Sequence, residues 1–340
     1  MRVIGRIFAV LFAIIFVLTL PVALALYNVQ AGLVSADTYK QVLVDEDVYA
    51  QAPRAAAVEL MSYSASSPDD TPMMVLLREM GTDELIQAIS LILPPATLQP
   101  LSESLIDQSF AIVDNGKGAI TLDLTTLKQS IRGNGVAAMQ SLASGRLPCT
   151  KAQIAELKQG GLPMCKVPQD LQAQADAQVE KALDKMIGDL PDIYPLLPAE
   201  QVDALQQPLS YVPVARTIAT ASLLVPLVCL ALIALFAVRS KRELMRWWGV
   251  PLFIAGLLTI LINRSASMIA TDAVRSQLAQ NNLTDGGIAF LLKLYAGIAG
   301  AVLTPMLVES LVAIVIGLGL IIWARRLRKA EMQSIQTQGI

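Results

Sequence analysis

The 340-residue chain contains no histidine. That removes the commonest general base, the Ser-His and Cys-His nucleophile pairs, and most zinc sites. Charge is scarce as well: 16% of residues are charged, against about 25% in ordinary soluble domains. The three cysteines, Cys149, Cys165 and Cys229, form no CxxC motif, and no phosphate-binding loop or nucleophile elbow occurs. Gly133-Asn134-Gly135 mimics part of a dinucleotide fingerprint, but it follows a helix-like stretch rather than a strand, so the context fails. Asp45-Glu46-Asp47 and Asp69-Asp70 lack the spacing of a calcium loop and read as solvated surface. No catalytic, cofactor-binding or metal-binding constellation remains, so the expectation is a non-enzymatic protein without a cofactor.

What the chain has instead is apolar length. Hydrophobic residues make up 54% of it. Ile7 to Leu26 is almost wholly apolar, and twenty residues at 1.5 Å each cross a hydrocarbon core of about 30 Å. This segment, 1–26, reads as an N-terminal anchor. A cleaved signal sequence is the rival, because Ala23-Leu24-Ala25 fits a small-residue cleavage site; the length of the apolar run favours the anchor. Further spans are expected at Pro213 to Val238, at Gly249 to Ile262 behind the Trp247-Trp248 pair, and within Gly287 to Lys329. The last run, as one helix, measures about 65 Å, twice the membrane. Its outer part, Ile288 to Val302, is too apolar for water and is expected to pack against a helix over Met268 to Leu278 and against the soluble domain.

Charge asymmetry gives the orientation. Arg2 and Arg6, then Arg239, Lys241, Arg242 and Arg246, then Arg325, Arg326, Arg328 and Lys329 crowd three membrane edges, opposed there only by Glu243 and Glu331. By the positive-inside rule this places both termini in the cytoplasm of a multi-pass protein of the cell membrane. Splitting the last run at Pro305 into two spans would put Arg325 to Lys329 outside, against that rule. Residues 27–210 carry 23 acids and 12 bases and become an extracytoplasmic domain. Its acidity excludes nucleic acid as a partner.

Helical spacing runs through that domain. Ala96 to Asp114 is the clearest amphipathic helix, and helices are also read over Val48 to Met61, Thr126 to Ile131 and Val136 to Ser144. Ser62 to Pro72 reads as a polar loop. Ile120 to Leu124 is the one strand pattern, and Pro191, Pro195 and Pro198 read as a linker. The fold class expected is mainly α: four transmembrane helices plus a mostly helical extracytoplasmic domain with little strand. Residues 211–340 form three of the spans, an extended outer hairpin and a basic tail.

Two constellations stand out. Cys149 and Cys165 bracket a short helix opened by a Thr150/Gln153 capping box and closed at Gly160-Gly161. In an oxidising compartment they are expected to bond, while Cys229 stays a core thiol. Counted from Trp248 and Trp323, Arg264 and Glu309 lie at matching depths, about 24 and 21 Å up, so they are expected to pair in the outer leaflet. Ala313-x-x-x-Gly317 and Ala296-x-x-x-Gly300 are candidate close-approach sites on the last helix.

Leu93-Pro94-Pro95-Ala96-Thr97-Leu98-Gln99, Ile120 to Leu127, Leu147-Pro148-Cys149 and Pro163-Met164-Cys165 resemble a family of bacterial multi-pass membrane proteins. In that family an N-terminal anchor precedes a helical outside domain and C-terminal spans. It often has an aromatic residue where Thr97-Leu98 stand here, and it brings no activity to carry over. The expectation is therefore a membrane-anchored acidic domain that scaffolds the envelope or binds a protein partner or a second copy of itself. The alternative is a component of a transporter or channel using Glu309 and Arg264.

Overall fold

The computed structural model describes residues 2–66, 77–78, 80–162, 165–204, 206–237, 240–281 and 283–338, with side chains over 4–328 of these. Asp69-Asp70, Pro163-Met164, Arg239, and the side chains of Arg2, Lys329 and Glu331 lie outside the described residues.

Helix α1 (Arg2–Leu33) runs seven residues past the apolar stretch. Then come α2 (Ala36–Asp45), α3 (Val48–Ser66), α4 (Thr82–Ile92) and α5 (Pro95–Asn115). Leu93-Pro94-Pro95 bends α4 and α5 apart by 68°, because a proline disfavours helical backbone in the residue before it yet suits the first turn of the next helix. Gly116, at φ 68°, stops α5. Strand β1 (Ile120–Asp123) leads to α6 (Thr125–Ser144), whose start is tied down by Asp123 Oδ1 accepting from the Thr125 amide and hydroxyl. Next are α7 (Lys151–Lys158), α8 (Gln172–Asp189) and β2 (Ile193–Leu197), then the short α9 (Ala199–Ala204) and α10 (Gln206–Leu209). The last four elements are α11 (Val212–Ser222), α12 (Leu224–Ala237), α13 (Lys241–Ala279) and α14 (Asp285–Gln338).

Three expectations change. Ser62–Ser66 is helical rather than loop; the rest of that segment, to Pro72, lies outside the described residues. Thr125–Ser144 is one helix, not two: Gly135 sits inside it, and a Cβ there would meet Leu183 Cδ1 at 2.4 Å. The glycine thus admits α8 at close range instead of breaking α6. The proline-rich linker contains β2, which pairs antiparallel with β1. Pro195 is tolerated because β2 has a free edge, and a bulge lies opposite, between Ile120 and Thr121.

Among the described residues four helices are long and apolar enough to cross a membrane: Ile4–Leu33, Gln206–Ala237, Lys241–Ala279 and Asp285–Arg328. The last is one continuous helix through Pro305. The second is broken at Leu223, where Pro226 withholds the N–H that the Ser222 carbonyl would receive.

Contacts divide the chain into two units. The first comprises Met1–Tyr39, Ser210–Val274 and Tyr295–Ile340 and contains the cores of all four apolar helices. Phe16, Cys229 and Ala255 form its buried centre, joining α1, α12 and α13. Phe236 stacks on Phe8 and Phe12 at 5.6 and 6.0 Å. Trp248 donates its indole N–H to the Leu230 carbonyl at 3.0 Å. Between α13 and α14 the contacts run antiparallel. A Cβ on Gly317 would meet Phe253 N at 2.6 Å, one on Gly256 would meet Ser310 O at 2.8 Å, and Asn263 Nδ2 donates to Leu303 O at 2.9 Å. The Ala313/Gly317 motif is thus a true close approach. Ala296/Gly300 is not: Ala296 is exposed, and nothing lies within 4 Å of a Cβ on Gly300.

The second unit comprises Lys40–Leu209 and Arg275–Leu294. Its core gathers Ala57 from α3, Met80, Leu85 and Ala88 around α4, and Ala138 and Leu142 from α6. The α13–α14 turn is fastened here. Thr284 Oγ1 caps α14 by accepting from Gly287 N, while Glu59 accepts from both Thr284 N (3.1 Å) and Thr284 Oγ1 (2.5 Å). A carboxylate at a helix N-terminus also meets the positive end of the dipole. Lys293 reaches the Glu46 carbonyl at 2.7 Å.

The Cys149 and Cys165 sulfurs are 2.00 Å apart and bonded, and Cys229 is a buried free thiol. The capping box between them is present in full: Gln153 N donates to Thr150 Oγ1, and Thr150 N to Gln153 Oε1. A loop of this length is worth about 3 kcal/mol. Thiol labelling of unreduced, denatured protein is expected to mark Cys229 alone; labelling of all three cysteines would contradict the bridge.

Candidate functional site

The buried polar groups of the first unit, Asn28, Thr259, Asn263 and Ser310, lie on the faces of helices that pack together. Thr259 and Ser310 are fully buried, and each hydroxyl bonds back to its own helix, at Ala255 O and Leu307 O. Both are therefore satisfied locally, as hydroxyls in apolar helices usually are. Asn263, also buried, bridges from α13 to the Leu303 carbonyl.

Glu309 has a different partner from the one its depth suggested. Asn28, on the part of α1 beyond the apolar run, is 4% exposed and donates Nδ2 to Glu309 Oε2 at 2.7 Å and to Leu24 O at 2.8 Å. One turn further along α1, a Cβ on Gly32 would meet Val302 Cγ2 at 2.9 Å. Asn28 and Gly32 thus form one face against α14. Arg264 is exposed and makes no ion pair with Glu309 among the described residues. The physical reason is azimuth. Helix rise fixes depth, but each residue turns the side chain by about 100°. The inward position on this turn of α13 belongs to Asn263, and Arg264 points elsewhere.

A carboxylate held by a neutral amide among packed helices is satisfied without a second charge. An open groove of about 650 Å³ in the same unit is lined by other residues, at the opposite end of α1. The Asn28–Glu309 bond therefore reads first as a lock between α1 and α14.

The second unit offers surface instead of a cleft. In β2, Ile193, Tyr194 and Leu196 are 61, 51 and 48% exposed. Among the described residues the strand pairs with β1 on one side only. Its approach is held by Lys128, a buried lysine whose Nζ donates to the Leu190 carbonyl and to Asp192 Oδ1, both at 2.6 Å. Acids flank the strand at Asp189, Asp192 and Glu200. Strand edges with exposed apolar side chains are docking templates, and proteins that do not use them blunt them with charge. Here the charges stand at the ends, leaving Ile193 to Leu197 uncharged, and Pro195 withholds only the one donor at the strand's centre.

In the second unit the Tyr49 hydroxyl is buried and has no hydrogen-bond partner among the described residues. Burial, and then the charge of Glu103, push its pKa above the ordinary tyrosine value of 10.0. The unfolded chain therefore ionises first, and Tyr49 subtracts stability as pH rises past 10. Tyr49→Phe is expected to leave the melting temperature unchanged or raise it at neutral pH, and to flatten its fall above pH 10. A loss of more than about 1 kcal/mol at neutral pH would show a partnered hydroxyl.

Among the described residues no group of three or more Cys, Asp or Glu side chains is placed to hold a metal ion. Comparison with protein-family models, with curated proteins and with solved structures finds no match to this chain.

Proposed function

We propose that this is a non-enzymatic integral membrane protein that presents its acidic domain outside the cytoplasm and binds a protein partner there. The observation that carries this reading is the open edge of β2, where Ile193, Tyr194 and Leu196 are all exposed. A two-stranded sheet is marginal alone, and a third strand added by a partner would complete it through main-chain hydrogen bonds. The flanking acids Asp189 and Glu200 suit a partner strand with basic ends. The orientation rests on the basic residues at both termini and in the α12–α13 connection.

The test is site-specific photocrosslinking in intact cells. A crosslinker replacing Tyr194 is expected to give one discrete adduct, and one replacing exposed Lys117 none. An adduct of twice the chain mass makes the partner a second copy. No adduct from Tyr194, or equal adducts from both positions, would overturn the reading.

The second reading, a component of a transporter or channel, is favoured by Glu309, an acid set among apolar helices with an amide for a partner. It predicts that Glu309→Gln abolishes a flux while leaving the fold intact.

A further inference from the structure

The first halves of α1 and α13 line an open groove of about 650 Å³, within the size range of small-molecule sites. Its wall on α1 is a stripe at every fourth residue: Arg6, Val10, Ile14 and Leu18. Four residues make slightly more than a helical turn, so these side chains share one face. All four are exposed, so no described part of the chain covers them. The facing wall on α13 has the same grading, from Arg246 and Trp247 to Val250 and Ile254. The two helices run in the same direction here, with both arginines at one end and hydrocarbon beyond. From Arg6 to Leu18 the rise is about 18 Å, close to half of a bilayer core of about 30 Å. The groove therefore has the depth of a single leaflet.

We infer that this groove is a binding site for one anionic phospholipid, in the leaflet that meets the N-termini of α1 and α13. Arg6 and Arg246 take the phosphate, a task suited to forked guanidinium donors. Trp247 lies at headgroup level, where indoles concentrate. An acyl chain lies between Val10, Ile14 and Leu18 on one side and Val250 and Ile254 on the other. Glu243 also lines the headgroup end, but Lys241 and Arg242 beside it keep the local charge basic. A water-soluble anion would leave the apolar shaft unfilled. A helix from a second copy would bring its own basic end, Arg325-Arg326 or Arg242, to the same level, and like charges there repel. Basic pockets between membrane helices recognise lipid phosphates by this combination.

Native mass spectrometry of the full-length protein in mild detergent tests the site, using phosphatidylglycerol and phosphatidylcholine with matched acyl chains. One phosphatidylglycerol is expected to stay bound, preferred about tenfold or more over phosphatidylcholine. Arg6→Gln and Arg246→Gln should each weaken it about fivefold, and the pair about 25-fold. Ile14→Trp, which fills the shaft and keeps the charge, should also displace the lipid. Arg325→Gln with Arg326→Gln should leave binding unchanged, and melting curves identify any variant that fails to fold. Equal retention of both lipids, or phosphatidylglycerol retained by the Arg6/Arg246 double variant, would overturn the site. Competition by glycerol phosphate as strong as by the whole lipid would show a free-anion site instead.

Discussion

Gly317→Val and Gly256→Val are each expected to cost the detergent-solubilised protein more than about 3 kcal/mol, the upper end for overpacking a well-filled interface. Both glycines face backbone. A Cβ on Gly317 would sit 2.6 Å from Phe253 N and 2.8 Å from Gly249 O; one on Gly256 would sit 2.8 Å from Ser310 O. Side chains can turn away from a new methyl group, but main chain on a packed helix moves only with the helix. On α14 the buried positions Met306, Ser310, Ala313, Gly317 and Ala324 recur at spacings of four, three, four and seven residues. They form a seam along which α13 lies close, and van der Waals contact drives such packing in lipid. Gly300→Ala is the control: nothing lies within 4 Å, and a helical Gly→Ala change should be neutral or stabilising by a few tenths of a kcal/mol. Thermal unfolding in one detergent compares all three. Equal effects of Gly317→Val and Gly300→Ala would mean that the helices do not meet at this seam.

The second large effect concerns Asn28 and Glu309. Asn28→Leu removes the donor from a half-buried carboxylate, and Glu309→Leu strands a buried amide that retains only its bond to Leu24 O. Hydrogen bonds to charged groups contribute about 1.5–3 kcal/mol, and an unpaired charge among packed helices costs more than its absence. Each single change is therefore expected to destabilise by about 2 kcal/mol, and the double change by clearly less than the sum. The coupling should exceed about 1 kcal/mol. The same cycle with Arg264→Gln and Glu309→Gln should give coupling near zero. Coupling in that cycle and none between Asn28 and Glu309 would restore the pairing that depth alone suggested.

The contrast between these two pairs shows what the sequence carried and what it hid. The long apolar helices were legible because apolar length is a one-dimensional property: Ile7 to Leu26 and Gly287 to Lys329 announce themselves. Counting residues also gave Glu309 its height along the helix. It could not give azimuth, and one residue, Asn263 against Arg264, decides which side chain faces inward. Asn28 was missed because it lies two residues past the end of the apolar run, in a helix that continues to Leu33. The close approach at Gly317 was visible as a small residue four from Ala313. Its counterparts Gly249 and Gly256 are seven apart, two turns on one face, and a search for four-residue spacing passes over them.

In the acidic domain, local signals were the reliable ones. The Thr150/Gln153 box, the Asn115-Gly116 stop and the Cys149–Cys165 bridge all depend on residues near in sequence. The pairing of β1 with β2 joins residues about seventy apart, and Pro191, Pro195 and Pro198 masked the strand. The attachment of Thr284 to Glu59 is more remote still, and no periodicity reports it. That attachment matters for the account, because it fixes the α13–α14 turn within the same unit as the acidic domain. The surface assigned to partner binding was hidden for the same reason, since Tyr194 in a linker carries no meaning that Tyr194 on an open strand edge does.

The central claim is that the chain crosses the membrane four times and holds the acidic domain on the side opposite its basic ends. Cysteine accessibility measures this directly, because Cys149 and Cys165 are bonded and Cys229 is buried, which keeps the background low. Ser66→Cys and Gln333→Cys are made separately and treated with a membrane-impermeant maleimide on sealed spheroplasts, before and after permeabilisation. The account predicts immediate labelling of Ser66→Cys and labelling of Gln333→Cys only after permeabilisation. Labelling of Gln333→Cys on sealed spheroplasts, or protection of Ser66→Cys, would contradict it.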